Sequence, residues 1–150
     1  MPSTFTNLLC HVVFTTKDRI PRIHDGIRER LYEYIGGIIR KEGGVLLQIG
    51  GMPDHVHLLI KMKTDITIPT MVRLIKARSS KWVNERGLLE ERFEWQAGYG
   101  AFSVSESQAA RVRRYIQEQE SHHRRVSFKD ELIALLKKNR IDYDERYLLG

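Results

Sequence analysis

Alternating apolar and polar residues predict three β-strands in the first half of the chain. The first is predicted at 8–16 and the second at 45–49. A glycine-rich connection over 50–54, of a length typical of hairpins, leads into a third strand that ends near Met62. A fourth strand is predicted at 94–104, where the glycines indicate bulges or a bend.

Apolar residues three or four positions apart predict two helices between these strands. Asp25 is the predicted N-cap of the first helix, and the glycine pair 43–44 ends it. Thr67 or Thr70 is expected to cap the second helix. The residues expected to face inward are Ile27, Leu31, Tyr34, Ile35 and Ile38 in the first helix and Met71, Leu74, Ile75 and Trp82 in the second.

Two more helices are predicted after the fourth strand. Ser105 and Gln108 form a capping box for a helix that runs to about His123. Ser127 and Asp130 form a second box, which begins a short helix. The residues of this short helix that are expected to face inward are Leu132, Leu135 and Leu136.

The predicted order is β-α-β-β-α-β followed by two helices, which is an α+β arrangement. It is typical of the ferredoxin-like or RRM-like fold, an antiparallel four-stranded sheet with helices on one face. A C-terminal helix that bears a tyrosine and a short last helix are added to it. The other sheet face is then available for a site. The tail 141–149 is apolar enough to be expected to pack on the domain or on a partner chain.

Composition limits the classes of function. A length of 150 residues fits a single domain, 1–150, and a net charge of +6 favours nucleic acid or another polyanion as a partner. One cysteine, Cys10, excludes an internal disulfide framework and fits a reducing cytoplasm. The longest apolar run near the N-terminus is too short to cross a bilayer, so no membrane partner is expected.

Two histidines stand two residues apart in the predicted third strand. Side chains at this spacing share one face of a strand, so His55 and His57 point together while Val56 points away. Two imidazoles on a rigid strand form half of a site for a divalent cation. A short His-x-His motif is also compatible with two structural histidines.

Tyr115 and Gln119 lie four residues apart on the predicted tyrosine helix and therefore share a stripe. A tyrosine hydroxyl, with a pKa of about 10, becomes a useful nucleophile when a metal ion neutralises the charge that develops at the phosphate it attacks. Gln119 is a candidate third ligand for Mg²⁺ or Mn²⁺. His122 or His123 is an alternative or additional ligand; both are also expected near a helix C-terminus, where cations contact DNA phosphate.

Several segments together resemble one known family. They are His11-Val-Val-Phe-Thr-Thr-Lys, Gly51-Met-Pro-Asp-His-Val-His-Leu-Leu, Ile75-Lys-Ala-Arg-Ser-Ser, Trp95-Gln-Ala-Gly-Tyr-Gly-Ala-Phe-Ser-Val and Tyr115-Ile-Gln-Glu-Gln. In this order they resemble the single-tyrosine HUH transposases. This family comprises the transposases of insertion sequences that move as single-stranded DNA and the REP-associated tyrosine transposases.

The resemblance implies a DNA endonuclease and strand-transfer activity, as used in transposition and DNA recombination. It implies that His55, His57 and Gln119 hold Mg²⁺ or Mn²⁺, and that Tyr115 attacks a phosphodiester in single-stranded DNA near a hairpin. The products would be a 5′-phosphotyrosine and a free 3′-OH, without ATP. It also implies a homodimer, in which the tyrosine helix of one subunit can complete the histidine site of the other.

Two clusters of basic residues are candidates for contacts with DNA phosphate. One is on the second helix and the other is on the tyrosine helix; they are Arg73, Lys76, Arg78 and Lys81, and Arg111, Arg113 and Arg114. Solvated faces of amphipathic helices would show the same pattern.

Two other functions compete with this prediction. A histidine-triad nucleotide hydrolase shares the start of the His-Val-His run, but Leu59 occupies the position of the third histidine. A non-catalytic binder of single-stranded nucleic acid on the same fold would stack bases on aromatic side chains, for which Phe14, Trp95 and Tyr99 are candidates. That function gives no reason for paired histidines beside a tyrosine helix.

Overall fold

The computed structural model describes residues 3–148 as a four-stranded antiparallel sheet with helices on both faces. The strands are β1 (Leu8–Thr15), β2 (Val45–Met52), β3 (His55–Met62) and β4 (Gly100–Val104). The helices are α1 (Asp25–Lys41), α2 (Ile68–Glu85), α3 (Glu106–Gln117), α4 (Gln119–His123) and α5 (Phe128–Lys138). The order β2-β3-β1-β4 is that of the ferredoxin-like fold, as the sequence predicts.

One face of the sheet packs on α1 and α2 through an apolar core. Alternate residues of β1 and β3 supply the sheet side of this core, because side chains two apart share a face. These residues include Val12, Phe14, Val56, Leu58 and Ile60, and each is at most 1% exposed. The inward residues predicted for α1 and α2 lie in this core or pack against it, except Ile27, which is buried outside this cluster.

The opposite face is covered by α3, α4 and α5. Helix α3 crosses β2 closely, because Gly50 has no side chain: a Cβ at this position would overlap the carbonyl oxygen of Ile116. A separate cluster that contains Val13, Phe102, Phe128 and Leu132 fixes α5 to the sheet. Because β1 and β3 pair directly, with His57 opposite Val13, the strand histidines lie beneath these helices.

Two strand boundaries differ from the prediction. β2 continues to Met52, so only Pro53 and Asp54 separate it from β3, and the connection is shorter than five residues. The predicted fourth strand begins only at Gly100, since the segment before it makes a single bridge, Thr16 with Trp95. Gly98, with φ +92°, interrupts the extended backbone between the two parts.

The helix ends were predicted with mixed success. Thr67 caps α2 by accepting from the Thr70 N–H, and Ser127 caps α5 by accepting from the Asp130 N–H. The cap of α1 was wrong: His24 is the N-cap, and Asp25 is the first helical residue. At α3, Ser105 is the N-cap residue, but its hydroxyl bonds to a neighbouring serine hydroxyl instead of the backbone.

The predicted tyrosine helix is broken in two. Glu118 leaves the helical conformation, with φ −95° and ψ 22°, so α3 ends before it and α4 begins after it. In the tail, Leu148 packs against the cluster under α5, whereas Tyr147 is 78% exposed; the predicted packing of Leu149 lies outside the described residues. Among residues 3–148, no helix is long and apolar enough to cross a membrane.

Candidate active site

Two imidazoles from β3 form the base of a buried polar cluster. His55 and His57 are 1% and 0% exposed, and their ring centroids are 5.2 Å apart. Both rings lie on the sheet face opposite the apolar core, as the period of a strand requires. Since β3 is an inner strand, paired on both sides, the two rings are held by a rigid backbone.

A neighbouring side chain holds the outer nitrogen of each ring. His55 Nδ1 lies 2.7 Å from Asp54 Oδ1, and His57 Nδ1 lies 2.9 Å from Nε2 of His11 on β1. Burial raises the pKa of Asp54, but the hydrogen bond from His55 outweighs it and the net pKa is lowered, so this carboxylate is ionised and only accepts. Burial lowers the pKa of His11 to about 3, so that ring is neutral. Both strand histidines therefore present Nε2 to the interior, as metal-binding histidines with fixed outer nitrogens do.

Helix α4 adds an amide and a third imidazole. Gln119, which is 1% exposed, places Oε1 at 3.2 Å from His55 Nε2. His123 Nε2 lies 3.0 Å from the same oxygen, while its Nδ1–H donates to the Val126 carbonyl at 2.8 Å. Of the two histidines that the sequence left open, His123 is therefore the one in the cluster.

A carboxylate that the sequence analysis missed lies at the centre. Glu131 on α5 is 2% exposed, and its Oε1 lies 2.9 Å from His57 Nε2 and 3.2 Å from His123 Nε2. Gln119 Nε2 donates to Oε2 at 3.0 Å. One signal was present: Glu131 lies four residues before Leu135, beside the apolar stripe of the short helix, where a solvated carboxylate is not expected.

The cluster contains more acceptors than protons. The outer nitrogens of His55 and His123 both donate to oxygens, so in a neutral ring Nε2 carries only a lone pair. These two lone pairs face oxygens of Gln119 and Glu131, which are acceptors as well. Acceptors that point at one another repel unless a proton or a metal cation lies among them. One ligand atom from each of His55, His57, His123 and Glu131 lies within 4.8 Å of the others, and this donor set fits a divalent cation.

The pKa shifts reflect this arrangement. Burial raises the pKa of Glu131, but hydrogen bonds from His123, His57 and Tyr115 outweigh it and the net pKa is lowered. Burial lowers the pKa of His57 more strongly than Glu131 raises it, so this ring is neutral, as a metal ligand has to be. For His123, burial also lowers the pKa, but the bond to Glu131 outweighs it and the net pKa is raised, so without a metal ion a proton on His123 Nε2 relieves part of the repulsion among the acceptors.

Tyr115 reaches the same carboxylate from α3. Its hydroxyl donates to Glu131 Oε2, and its ring is edge-on to His57 with centroids 5.7 Å apart. Burial and the charge of Glu131 raise the pKa of Tyr115, so the group is a neutral phenol in this arrangement. The phenol and the histidine pair thus meet within one chain.

His122 lies at the rim. Its Nε2 is 3.3 Å from Glu131 Oε2, an ion-pair distance, but without the geometry of a hydrogen bond, and the ring packs edge-on to Tyr115 with centroids 5.2 Å apart.

The basic residues predicted to contact DNA lie outside the cluster. Those on α2 lie across the sheet from the histidines, and two of them are in ion pairs: Arg78 with Glu42 and Lys81 with Glu85, each at 3.8 Å. The three on α3, Arg111, Arg113 and Arg114, are exposed. Phe14, a candidate for base stacking, is fully buried and is not available to a base, whereas Trp95 and Tyr99 are half-buried.

Comparisons with known proteins found a matching family, a similar sequence and similar structures. The model of the family described as "Transposase IS200 like" matches residues 4–119. The ISDra2 transposase TnpA of Deinococcus radiodurans is 27% identical over 114 residues, which span 73% of this chain and 81% of that protein. The crystal structure of a putative transposase from the same organism has a TM-score of 0.64 and 26% identity, over 79% of this chain and 95% of that one.

A further solved structure resembles nearly the whole chain. It is a REP-associated tyrosine transposase bound to a REP hairpin, with a TM-score of 0.62 over 99% of this chain and 90% of that one. At 13% identity, the likeness shows the fold alone. His123 and Glu131 lie beyond the residues that the family model matches.

Proposed function

The chain belongs to the IS200-like transposase family, and on this premise we propose that it cleaves and rejoins single-stranded DNA through a covalent bond to Tyr115. The observation that carries the proposal is the convergence of Tyr115 on a carboxylate that also contacts His57, His123 and Gln119. A phenol beside a cluster that needs a cation is the arrangement that nucleophilic attack on phosphate requires.

A divalent ion would be held by His55, His57, Gln119 and Glu131, with His123 as a further ligand. When bound, the ion supplies positive charge that stabilises the developing charge on the phosphate and the leaving oxygen. Of the two ions expected, Mn²⁺ fits better than Mg²⁺, because imidazole nitrogens are poor ligands for Mg²⁺.

Glu131 orients the nucleophile. Its lowered pKa makes it a weak base, and the pKa of Tyr115 is raised, so the carboxylate holds the hydroxyl in place without removing its proton. In the proposed reaction the phenol oxygen bonds to phosphorus, the P–O3′ bond breaks, and the phenol proton passes to the leaving O3′, so that a 5′-phosphotyrosine and a free 3′-OH result. The same 3′-OH, or another one, then attacks the phosphotyrosine to rejoin strands, so the phosphodiester energy is conserved.

The experiment is a search for the covalent adduct. Incubation with a labelled single-stranded hairpin oligonucleotide and Mn²⁺, followed by a denaturing gel, should show a protein–DNA adduct that is absent in Tyr115→Phe. Tyr32→Phe is the matched control, because this half-buried tyrosine lies on α1 and its hydroxyl has no hydrogen-bond partner among residues 3–148. An adduct that persists in Tyr115→Phe, or hairpin binding without any adduct, would refute the nuclease and favour a non-catalytic binder.

We propose that the DNA partner contains a hairpin, as the DNA bound to the REP-associated transposase does. The predicted homodimer stays a prediction, and analytical ultracentrifugation tests it.

One chain brings its own tyrosine to the cluster, so we propose that the tyrosine acts in cis. Mixing His57→Ala with Tyr115→Phe decides this point: restored cleavage would require a tyrosine helix exchanged between subunits, and we expect none.

A further inference from the structure

A second concave surface lies beside α2, which packs on the sheet face opposite the histidine cluster. It is a groove of about 670 Å³ between α2 and the segment 92–99, with Lys17 at one end. The volume lies within the range of about 300–1,000 Å³ that is usual for ligand pockets. None of the proposed metal ligands lines the groove, so it is distinct from the candidate active site.

The lining of the groove is basic. Four cationic side chains face a single carboxylate: Lys17, Arg73, Lys76 and Arg92 against Glu94. Lys17 and Arg92 pair with Glu94 at 3.4 and 3.0 Å. Arg73 is exposed and forms no ion pair among residues 3–148, so its guanidinium is free to bind an anion. A phosphate group is a suitable ligand for such a guanidinium.

Aromatic side chains form the other part of the lining. Trp95 is half-buried and held in place: its Nε1–H donates to Ser79 Oγ at 2.9 Å, and Phe14 and Phe93 pack edge-on to the ring at centroid distances of 4.8 Å. Tyr99 is half-buried at the other end of the segment. Fixed aromatic surfaces in a basic groove are what proteins use to bind single-stranded nucleic acid, because every base can stack.

Lys76 connects α2 to the segment 92–99, which forms the other wall of the groove. Its ammonium donates to the carbonyls of Gln96 and Gly98 at 2.8 and 2.6 Å and lies 5.2 Å from the centre of the Phe14 ring. Burial lowers the pKa of this lysine to about 8. An ammonium has three protons, so one stays available for a phosphate. The groove is therefore formed before any ligand binds.

One short turn connects the groove with the candidate active site. Lys17 lines the groove, and two residues later the guanidinium of Arg19 lies over the Phe128 ring, 5.4 Å from its centre. Phe128 in turn packs against His55, with ring centroids 4.6 Å apart. The turn is fixed to the groove by the Asp18 N–H, which donates to Gln96 Oε1 at 2.9 Å.

We propose that this groove binds an unpaired stretch of the DNA substrate, with a base stacked on Trp95 or Tyr99 and a phosphate at Arg73. Because the Lys17–Arg19 turn leads from the groove to His55, the bound stretch flanks the strand that reaches Tyr115. This inference rests on the proposed function for the identity of the ligand, but the groove can be tested without cleavage.

The test uses the fluorescence of Trp95. The chain has two tryptophans, and Trp82 stacks on Tyr34 between α1 and α2, so Trp82→Phe leaves Trp95 as the reporter. Titration with an unstructured oligothymidine in EDTA should quench this emission. In the same background, Tyr99→Ala should weaken binding by about 5- to 150-fold, since one stacked base contributes about 1–3 kcal/mol. Arg73→Ala should weaken it by about 10- to 150-fold, since a hydrogen bond between charged groups contributes about 1.5–3 kcal/mol.

Arg86→Ala is the matched control, because Arg86 is an exposed arginine at the C-terminal end of the same helix and lies outside the groove. It should change the affinity by less than about twofold. Wild-type protein with an oligonucleotide that contains 2-aminopurine gives a second readout that does not depend on the Trp82 variant. Absence of a signal from both probes, or equal losses of affinity in Arg86→Ala and Arg73→Ala, would overturn the inference.

The two proposals can fail separately. A Tyr115 adduct without any signal from the groove would refute the groove as a DNA site while the nuclease stands. Quenching that is sensitive to Arg73, without an adduct under any divalent ion, would refute the nuclease and leave a binding protein.

Discussion

The two sides of β3 face different surroundings. Val56, Leu58 and Ile60 pack into the apolar core beneath α1 and α2, whereas His55 and His57 on the other side contact a carboxylate, an amide and a third imidazole. Both sides are almost completely buried. Burial of apolar side chains stabilises the fold, but burial of a carboxylate among acceptors costs free energy unless a cation compensates it. One side of the strand therefore serves stability, and we propose that the other serves binding and chemistry.

The largest expected effect is the loss of DNA-adduct formation when a histidine on the polar side of β3 is removed. His57→Ala should reduce formation of the DNA adduct by about 10³-fold or more, because stabilisation of the phosphate charge by the ion contributes several kcal/mol. Hairpin binding should be largely retained, since phosphate contacts supply most of the affinity. Quantitative adduct gels and DNA-binding titrations, with circular dichroism to check folding, measure the two effects. His24→Ala, an exposed histidine at the start of α1, is the control. Equal losses of binding and cleavage would contradict this separation.

The next largest effect is on the free energy of unfolding, when the apolar side of β3 is changed. Leu58→Ala should lower the free energy of unfolding by about 2–5 kcal/mol, because it leaves a cavity in the core. At temperatures at which the variant is folded, its yield of adduct per molecule should stay within a few-fold of wild type. Tyr115→Phe should abolish the adduct but lower the free energy of unfolding less, since it removes one hydrogen bond to a charged group, of about 1.5–3 kcal/mol. Urea unfolding compares the two; a loss in Tyr115→Phe as large as in Leu58→Ala would show that the two sides are not separate.

A divalent ion should stabilise the folded chain. At 100 times its dissociation constant, Mn²⁺ should add about 2.7 kcal/mol to the free energy of unfolding, because it binds only the folded protein. Glu131→Gln should remove most of this gain, since it deletes the charge among the ligands. Asp130→Asn, an exposed neighbour, is the control. The readout is the urea midpoint with and without Mn²⁺, and an undiminished shift in Glu131→Gln would exclude that carboxylate as a ligand.

The smallest expected effect concerns Asp54, whose carboxylate holds the proposed metal ligand His55 in place. Asp54→Asn should weaken Mn²⁺ binding by about 10- to 100-fold, because the carboxylate fixes the orientation and proton position of His55. Asp65→Asn, an exposed aspartate at the end of the same hairpin, should leave binding unchanged. Isothermal titration measures both, and equal affinities in the two variants would assign Asp54 a purely structural role.

The sequence predicted those features that depend on local pattern. The strand period of two placed His55 and His57 on one face, and the helical stripes of α1 and α2 identified the core residues that pack against the sheet. The antiparallel four-stranded sheet followed from the order of these elements.

Features that depend on distant packing were not predicted. The break at Glu118 separates Tyr115 from Gln119, so the two belong to different helices although they are four residues apart. Glu131 looked like an ordinary residue of a short helix, because its partners come from β3, α3 and α4, and no local pattern shows that α5 folds over them. The pairing of His11 with His57 likewise depends on strand register.

We infer that the polar side of β3 holds a divalent cation together with α4 and α5. Calorimetric titration of metal-free protein with Mn²⁺ tests it most directly, because it needs neither DNA nor activity. We expect one ion bound per chain, weaker binding of Mg²⁺, and loss of binding in a folded double variant, His55→Ala with His57→Ala. No binding at millimolar Mn²⁺, or unchanged binding in that variant, would contradict it.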